Sequence, residues 1–277
     1  RSNQSQRVVL SLRSGIPLDD DTDISVSVSS NLLRYDTPDT MNTDDRDELL
    51  LTGGLELARR WNRWFSTHLF VDGAVDHLVY LSRYQSANNV TIRTLRLSPV
   101  VVWRTADGFR NAMRAEVAAS YTVFDFEDQV GGVQSYSYRQ ALWADSLVVP
   151  VGKGVLLEFS GSLRLFERGL LRWSEFRERP ERTFKELAWW PRLRVRQWSG
   201  VSVAIGFRSF RQERTVIRDG VRRYDGAIGS SGPTVDLEIL WRSGGSLLVS
   251  GWRETQRSDS RTLNAISNLM MQVTAPL

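Results

Sequence analysis

Apolar and polar residues alternate along residues 89–127, in two runs joined by the turn Thr105-Ala106-Asp107-Gly108. The apolar positions of the two runs are Leu95, Leu97, Pro99, Val101, Trp103, Met113, Ala115, Val117, Ala119, Tyr121 and Val123. Charged and hydroxyl side chains fill most of the positions between them. Since successive side chains of a β-strand point to opposite faces, this pattern predicts a β-hairpin. Its strands are more than twice as long as the usual five or six residues.

The same alternation recurs from Ile24 onward and predicts about twelve strands, with roughly 10 to 14 compatible with the pattern. They cover residues 24–35, 48–59, 66–82, 90–104, 110–126, 135–151, 155–171, 183–198, 201–217, 233–242, 246–255 and 263–275. Long strands with one apolar and one charged face are typical of strands that span a membrane in a barrel. The sequence therefore predicts an all-β fold, a single closed antiparallel transmembrane β-barrel formed by residues 24–277.

Connections between the predicted strands alternate between short turns and longer polar loops. The short ones include 105–108, 152–154, 199–200 and 243–245, and the longer ones include 36–47, 128–134, 172–182 and 218–232. This alternation is typical of outer-membrane barrels, which have short periplasmic turns and longer extracellular loops. With an even number of strands, both termini are expected on the periplasmic side.

Tryptophan residues cluster beside the short turns. They are Trp61, Trp64, Trp103, Trp198 and Trp241. Amphipathic aromatic rings are enriched where a membrane protein meets the membrane–water interface. These five residues are therefore predicted to form an aromatic girdle.

Taken together, residues 24–277 resemble a bacterial outer-membrane β-barrel. The resemblance rests on pattern and not on a signature motif, so it implies an architecture and no particular family. It implies a place in the outer membrane of a Gram-negative cell envelope, in contact with membrane lipid and lipopolysaccharide. Such barrels commonly end in an aromatic residue, whereas this chain ends in Leu277. Residues 1–23 are expected to form a periplasmic linker or small plug that offers a contact for a periplasmic or outer-membrane protein partner.

The amino-acid composition excludes several other classes of protein and of binding site. The chain has 277 residues, of which 25% are charged, and no apolar run approaches the roughly 18 residues of a transmembrane helix. It contains no cysteine, which excludes disulfides and thiolate metal sites. The net charge is +4, but basic residues alternate with acidic ones along the strands and do not gather in a patch, so nucleic-acid binding is not predicted.

The polar face of a membrane barrel lines its lumen. The predicted lumen-lining cations are Arg96, Arg114, Arg164, Arg192, Arg194, Arg196 and Arg208, and the predicted lumen-lining acids are Glu56, Asp72, Asp76, Asp236 and Glu238. This distribution predicts an arginine-rich wall, centred on the ladder at 192–196, opposite a carboxylate-rich wall. Opposed charges orient polar solutes and set ion preference. Alternatively, the same charges form ion pairs that fill a narrow barrel.

The function most consistent with this pattern is a porin-like channel for passive passage of small polar or anionic solutes. The alternative is a barrel without an open pore, which anchors or joins a larger outer-membrane assembly or secretion complex. An outer-membrane hydrolase needs a positioned histidine. His68 has Asp72 nearby on the polar face, whereas His77 lies on the apolar face without an evident serine partner. Neither arrangement predicts an enzyme, and no metal or cofactor is predicted.

Overall fold

A computed structural model describes residues 4–37, 42–127, 134–198, 200–241, 244–259 and 261–275. Its strands are β1 (Gln4–Asp19), β2 (Thr22–Asp36), β3 (Arg46–Arg60), β4 (Phe65–Tyr80), β5 (Val90–Arg104), β6 (Arg110–Phe124), β7 (Tyr136–Gly152), β8 (Val155–Arg172), β9 (Arg177–Trp198), β10 (Val201–Arg218), β11 (Val221–Leu240), β12 (Ser246–Ser258) and β13 (Arg261–Thr274). A short 3-10 helix, Ser86–Asn88, lies between β4 and β5. Within these ranges no helix has the length and apolar character needed to cross a membrane.

The thirteen strands form one sheet in sequence order. Every neighbouring pair is antiparallel, and the predicted hairpin at residues 89–127 is confirmed as β5 and β6, with Leu97 opposite Val117. We call the end of the sheet that carries the β3–β4 and β5–β6 turns the turn end. The opposite end, which carries the β2–β3 and β4–β5 connections, is the loop end.

The predicted N-terminal linker is wrong, because Gln4–Asp19 forms β1 and pairs with β2 along its length. Val8 and Leu12 alternate with polar residues, and they lie opposite Leu32 and Val28. The aspartates that suggested a loop form only the turn to β2, in which the amide N–H of Asp21 donates to Asp19 at 2.8 Å. The structure therefore has thirteen strands where the pattern predicted about twelve.

An odd number of antiparallel strands sets the directions of the two edges. β1 and β13 run the same way, so Gln4 lies at the loop end and Thr274 at the turn end. The prediction that both termini lie at one end is therefore wrong for the described residues. Neither edge strand has a second neighbour within the described ranges, and both are exposed throughout. The sheet is open there, and direct closure of β1 on β13 would require a parallel pair.

Two of the predicted long loops are also wrong. β9 begins at Arg177 and β11 at Val221, so the connections shrink to residues 173–176 and 219–220. Asp219 and Gly220 have φ values of 53° and 75°. Positive φ at both central residues is the requirement of a two-residue hairpin turn, and glycine and aspartate meet it readily. Gly226, Gly229 and Gly232, which suggested a loop at 218–232, instead lie within β11.

Candidate functional site on the polar face

A belt of side chains crosses the polar face from β5 to β10. The belt consists of Ser98, Arg114, Glu116, Gln140, Arg164, Glu186 and Gln212. At its centre Arg164 donates to Gln140 at 3.0 Å and approaches Glu186 at 3.4 Å. Glu116 is buried and accepts a bond from Gln140 at 2.6 Å. Each carboxylate of the belt accepts a hydrogen bond from a side chain of the belt. These bonds fix the side chains of Arg114 and Arg164 against the sheet.

Nearer the turn end, two arginines of the predicted ladder lie among carboxylates from neighbouring strands. Arg192 on β9 contacts Glu158 on β8 at 2.9 Å and Asp236 on β11 at 3.2 Å. Arg194 contacts the same Glu158 at 2.6 Å and Glu238 at 3.7 Å. We call these five residues the turn-end charge cluster. The prediction that these arginines form a wall separate from Asp236 and Glu238 is wrong, because β9 and β11 are separated only by β10.

One further bridge connects the strands on either side of β10. The indole N–H of Trp190 on β9 donates to Thr234 on β11 at 3.0 Å, and Arg192 reaches Asp236 in the same direction. The Arg192 side chain passes over Gly206, whose missing side chain leaves the room it needs: a Cβ there would lie 2.6 Å from Arg192 Cγ and 3.0 Å from Thr234 Oγ1. Trp190 was not among the predicted site residues. Its partner Thr234 lies two strands away, so the contact is evident only once the register is known.

The remaining predicted acids and cations on the first five strands are partly paired. Arg96 on β5 contacts Asp72 on β4 at 3.0 Å. His68 lies 3.4 Å from Glu56 on β3, so its acidic neighbour is Glu56 and not the expected Asp72. Asp76 has no cationic group within 4 Å among the described residues.

On the later strands, Arg208 contacts Glu254 on β12 at 2.7 Å. Arg196 is exposed, and within the part of the chain that is described no carboxylate lies within 4 Å of it. It is thus the one member of the 192–196 ladder whose charge lacks such a partner there.

A recess of about 640 Å³ indents the polar face between the belt and the turn-end charge cluster. Its wall carries the small residues Ala112, Ala144, Ser146, Ser160, Ser162 and Ala188. Arg114, Trp190 and Arg208 lie at its margin. The small residues stand at alternate positions of four neighbouring strands, a signal that is present in the sequence. Only the register shows that they meet.

The predicted girdle residues lie at the turn end. Trp61 and Trp64 are in the β3–β4 turn, Trp103 is near the end of β5, and Trp241 follows β11. Trp61 and Trp103 are more than half exposed, and the guanidinium of Arg59 lies 4.3 Å from the Trp61 ring centroid. The last residue of β9 is Trp198, whose side chain lies outside the described part of the structure.

No protein-family model matches the sequence, and no curated protein matches it. In three dimensions the chain is similar to the ferric-catecholate import receptor Fiu from E. coli K12, with a TM-score of 0.55, 8% identity and 98% of this chain covered. It is also similar to the siderophore receptor PiuA from Acinetobacter baumannii, with a TM-score of 0.51, 8% identity and 92% of this chain covered. Both are outer-membrane β-barrel proteins. The fold is the antiparallel sheet of an outer-membrane β-barrel, open between β1 and β13 in the described residues.

The outer-membrane barrel fold does not by itself define a ligand. At 8% identity the likeness to the receptors is one of fold alone. The chain also spans less than two thirds of either receptor, 58% of Fiu and 57% of PiuA. Function therefore has to be argued from this chain's own faces and side chains.

Proposed function

We propose that the protein forms the wall of an outer-membrane channel that passes small polar or anionic solutes. The observation that carries this proposal is the contrast between the two faces of the sheet. On the apolar face Leu95, Val117 and Leu269 are 61%, 60% and 77% exposed. Soluble proteins seldom expose apolar residues over so large an area, whereas barrel strands in lipid do so along their whole length. The opposite face carries the belt, the recess and the turn-end charge cluster, which suit a water-filled lumen.

Charge pairing sets the expected ion preference. Arg192 and Arg194 are matched by carboxylates, so they contribute little net positive potential. Arg196, exposed and without such a partner among the described residues, is the best candidate to attract anions. Removing Arg192 has a second effect, because it leaves Glu158 and Asp236 without that cation. We therefore expect both arginines to favour anions, Arg192 by restraining two carboxylates and Arg196 directly.

The test is conductance of the purified protein in a planar bilayer under a salt gradient. We expect steady conductance with a modest preference for anions. Arg196→Ser should move the reversal potential toward cation preference, and Arg192→Ser should move it further. Arg257→Ser is the matched control, because Arg257 lies on the apolar face of β12 and should leave the reversal potential unchanged. A silent bilayer from folded protein contradicts the proposal.

A second role, as an anchored subunit of a larger outer-membrane assembly, is supported by the two edges that have no pairing strand among the described residues. Unpaired strand edges are templates for pairing with further strands. The expectation is that affinity purification from solubilised membranes returns a stoichiometric partner. Recovery of the barrel protein alone counts against this role and leaves the channel proposal in place.

A further inference from the structure

Strand pairing is interrupted twice in one row of the sheet. Between β9 and β10 the ladder skips Pro191, which lies level with Phe207. Between β11 and β12 it skips Pro233, which is paired with Phe207 on its other side and lies level with Arg253. Proline has no N–H to donate, which explains the loss of ladder bonds at both places. The row from Pro191 to Arg253 therefore lacks regular ladder bonds at two of its strand junctions.

A groove of about 850 Å³ opens on the apolar face at this row. Its lining includes Leu157, Leu193, Ile205, Phe207, Val235 and Gly251. Gly251 contributes to the room in the groove, because it presents no side chain between Val235 and Leu269 on the neighbouring strands. In a membrane barrel this face meets lipid, so an acyl chain is the occupant that fits the lining.

Arg253 adds a charge at the edge of the groove. It is exposed on the apolar face of β12 and is part of the groove lining. Its neighbour Glu254 projects to the polar face, where it pairs with Arg208 at 2.7 Å. Among the described residues, no carboxylate lies within 4 Å of the Arg253 guanidinium. A cation on the lipid face of a barrel is unfavourable, by up to about 2–4 kcal/mol at the bilayer midplane and by less toward the interface where lipid phosphates lie, so a phosphate within reach would stabilise Arg253.

We infer that this groove binds one anionic membrane lipid, with an acyl chain along the apolar lining and a phosphate on the Arg253 guanidinium. The apolar lining accommodates the acyl chain. The Arg253 guanidinium, which has no carboxylate partner among the described residues, binds the phosphate. The planar guanidinium matches two phosphate oxygens at once, which gives the contact its direction. This inference depends on the fold and the apolar face, and it is independent of whether the lumen conducts.

Native mass spectrometry of the delipidated protein in neutral detergent tests the site. The probes are dioleoyl phosphatidylglycerol and dioleoyl phosphatidylcholine, titrated separately. We expect Arg253→Ala to weaken phosphatidylglycerol binding about tenfold, in line with the loss of a charge-assisted contact, and to leave phosphatidylcholine binding nearly unchanged. Arg257→Ala is the matched control, since Arg257 is exposed on the same face of the same strand and lies outside the groove lining.

A second variant tests the acyl half of the site. Gly251→Leu places a side chain in the groove, and its Cβ would lie 3.5 Å from Val235 Cγ1, an ordinary contact. We expect this variant to weaken binding of both lipids. Equal losses in Arg253→Ala and Arg257→Ala would show diffuse attraction and overturn the inference. Full displacement of phosphatidylglycerol by inorganic phosphate would overturn it too, because the acyl chain would then be dispensable. Lipid binding that persists in a non-conducting protein would refute the channel proposal alone.

Discussion

Replacing Gly206 with alanine tests whether β9, β10 and β11 pack as closely around this residue as the structure indicates. An added Cβ would lie 2.5 Å from the Pro191 carbonyl oxygen and 2.6 Å from Arg192 Cγ. Ordinary contact begins at 3.4 Å, so β9 would have to recede by about 0.9 Å. That movement would stretch the bond from Trp190 to Thr234, now 3.0 Å, beyond hydrogen-bond range.

The expected effect is the sum of three terms of known size. Overpacking costs about 1–3 kcal/mol. Loss of the Trp190–Thr234 bond adds about 1 kcal/mol. The lower chain entropy of unfolded alanine offsets about 0.4–1 kcal/mol. Gly206→Ala should therefore reduce the free energy of unfolding by about 1–4 kcal/mol.

Urea titration of the protein folded in lipid vesicles, followed by tryptophan fluorescence, measures this change. Gly251→Ala is the matched control, because its Cβ would meet nothing closer than 3.5 Å. The control should be as stable as the wild type or slightly more stable. The reasoning fails if Gly206→Ala unfolds with the wild type, or if both alanine variants lose the same stability.

Three further outcomes are expected. Arg194→Ser should cost about 1.5–3 kcal/mol in vesicle unfolding, because it removes the charge-assisted contact with Glu158, whose side chain is only 11% exposed and keeps Arg192 as its other partner. Arg96→Ser should cost at most about 1 kcal/mol, since its pair with Asp72 is exposed, and similar losses would contradict the assignment. The chain has no native cysteine, so Cys pairs placed along β1 and β13 should fail to form a disulfide, while the positive control Val249→Cys with Met271→Cys, opposed on β12 and β13, should form one. At the loop end, the pKa of Asp259 is lowered below its ordinary 3.8, first by the bond it accepts from the Ala227 N–H and next by that from the Tyr224 hydroxyl. Its stabilising contacts should therefore be complete above the ordinary pKa and be lost as the pH falls through the lowered one. Hydrogen exchange at the Ala227 amide, corrected for intrinsic rate, should accelerate over that range in the wild type, whereas Asp259→Asn should lose this dependence on pH.

Alternation along the chain was sufficient to predict most strands and the face of most side chains. β5 and β6 follow their predicted ranges closely, because nothing in residues 90–124 competes with a period of two. β1 was missed because Gly15, Pro17 and the following aspartates are typical of a loop, and the alternation from Val8 to Leu12 is too short to outweigh them. The predicted range of β11 was too short because Gly226, Gly229 and Gly232 are also typical of a loop.

Partners of the charged residues could not be predicted in the same way. The face of Arg192 follows from its position in the strand, but its contact with Asp236 depends on the stagger of three strands and on the glycine between them. The prediction of an arginine-rich wall opposite a carboxylate-rich wall grouped the charged residues by strand. It did not take into account the stagger between neighbouring strands. Likewise, the recess needs small residues from four strands at one level, which no single strand reveals.

The common direction of β1 and β13 constrains how identical chains could share a barrel. Copies inserted in one membrane are related by rotation about its normal, and such a rotation preserves the direction of every strand. β13 of one copy would then meet β1 of the next in parallel, whatever the number of copies in the ring. Turning one copy over would restore antiparallel pairing, but it would also reverse that copy across the membrane. A rotationally symmetric ring of these sheets therefore carries one parallel seam per copy, and an antiparallel junction needs an odd number of additional strands.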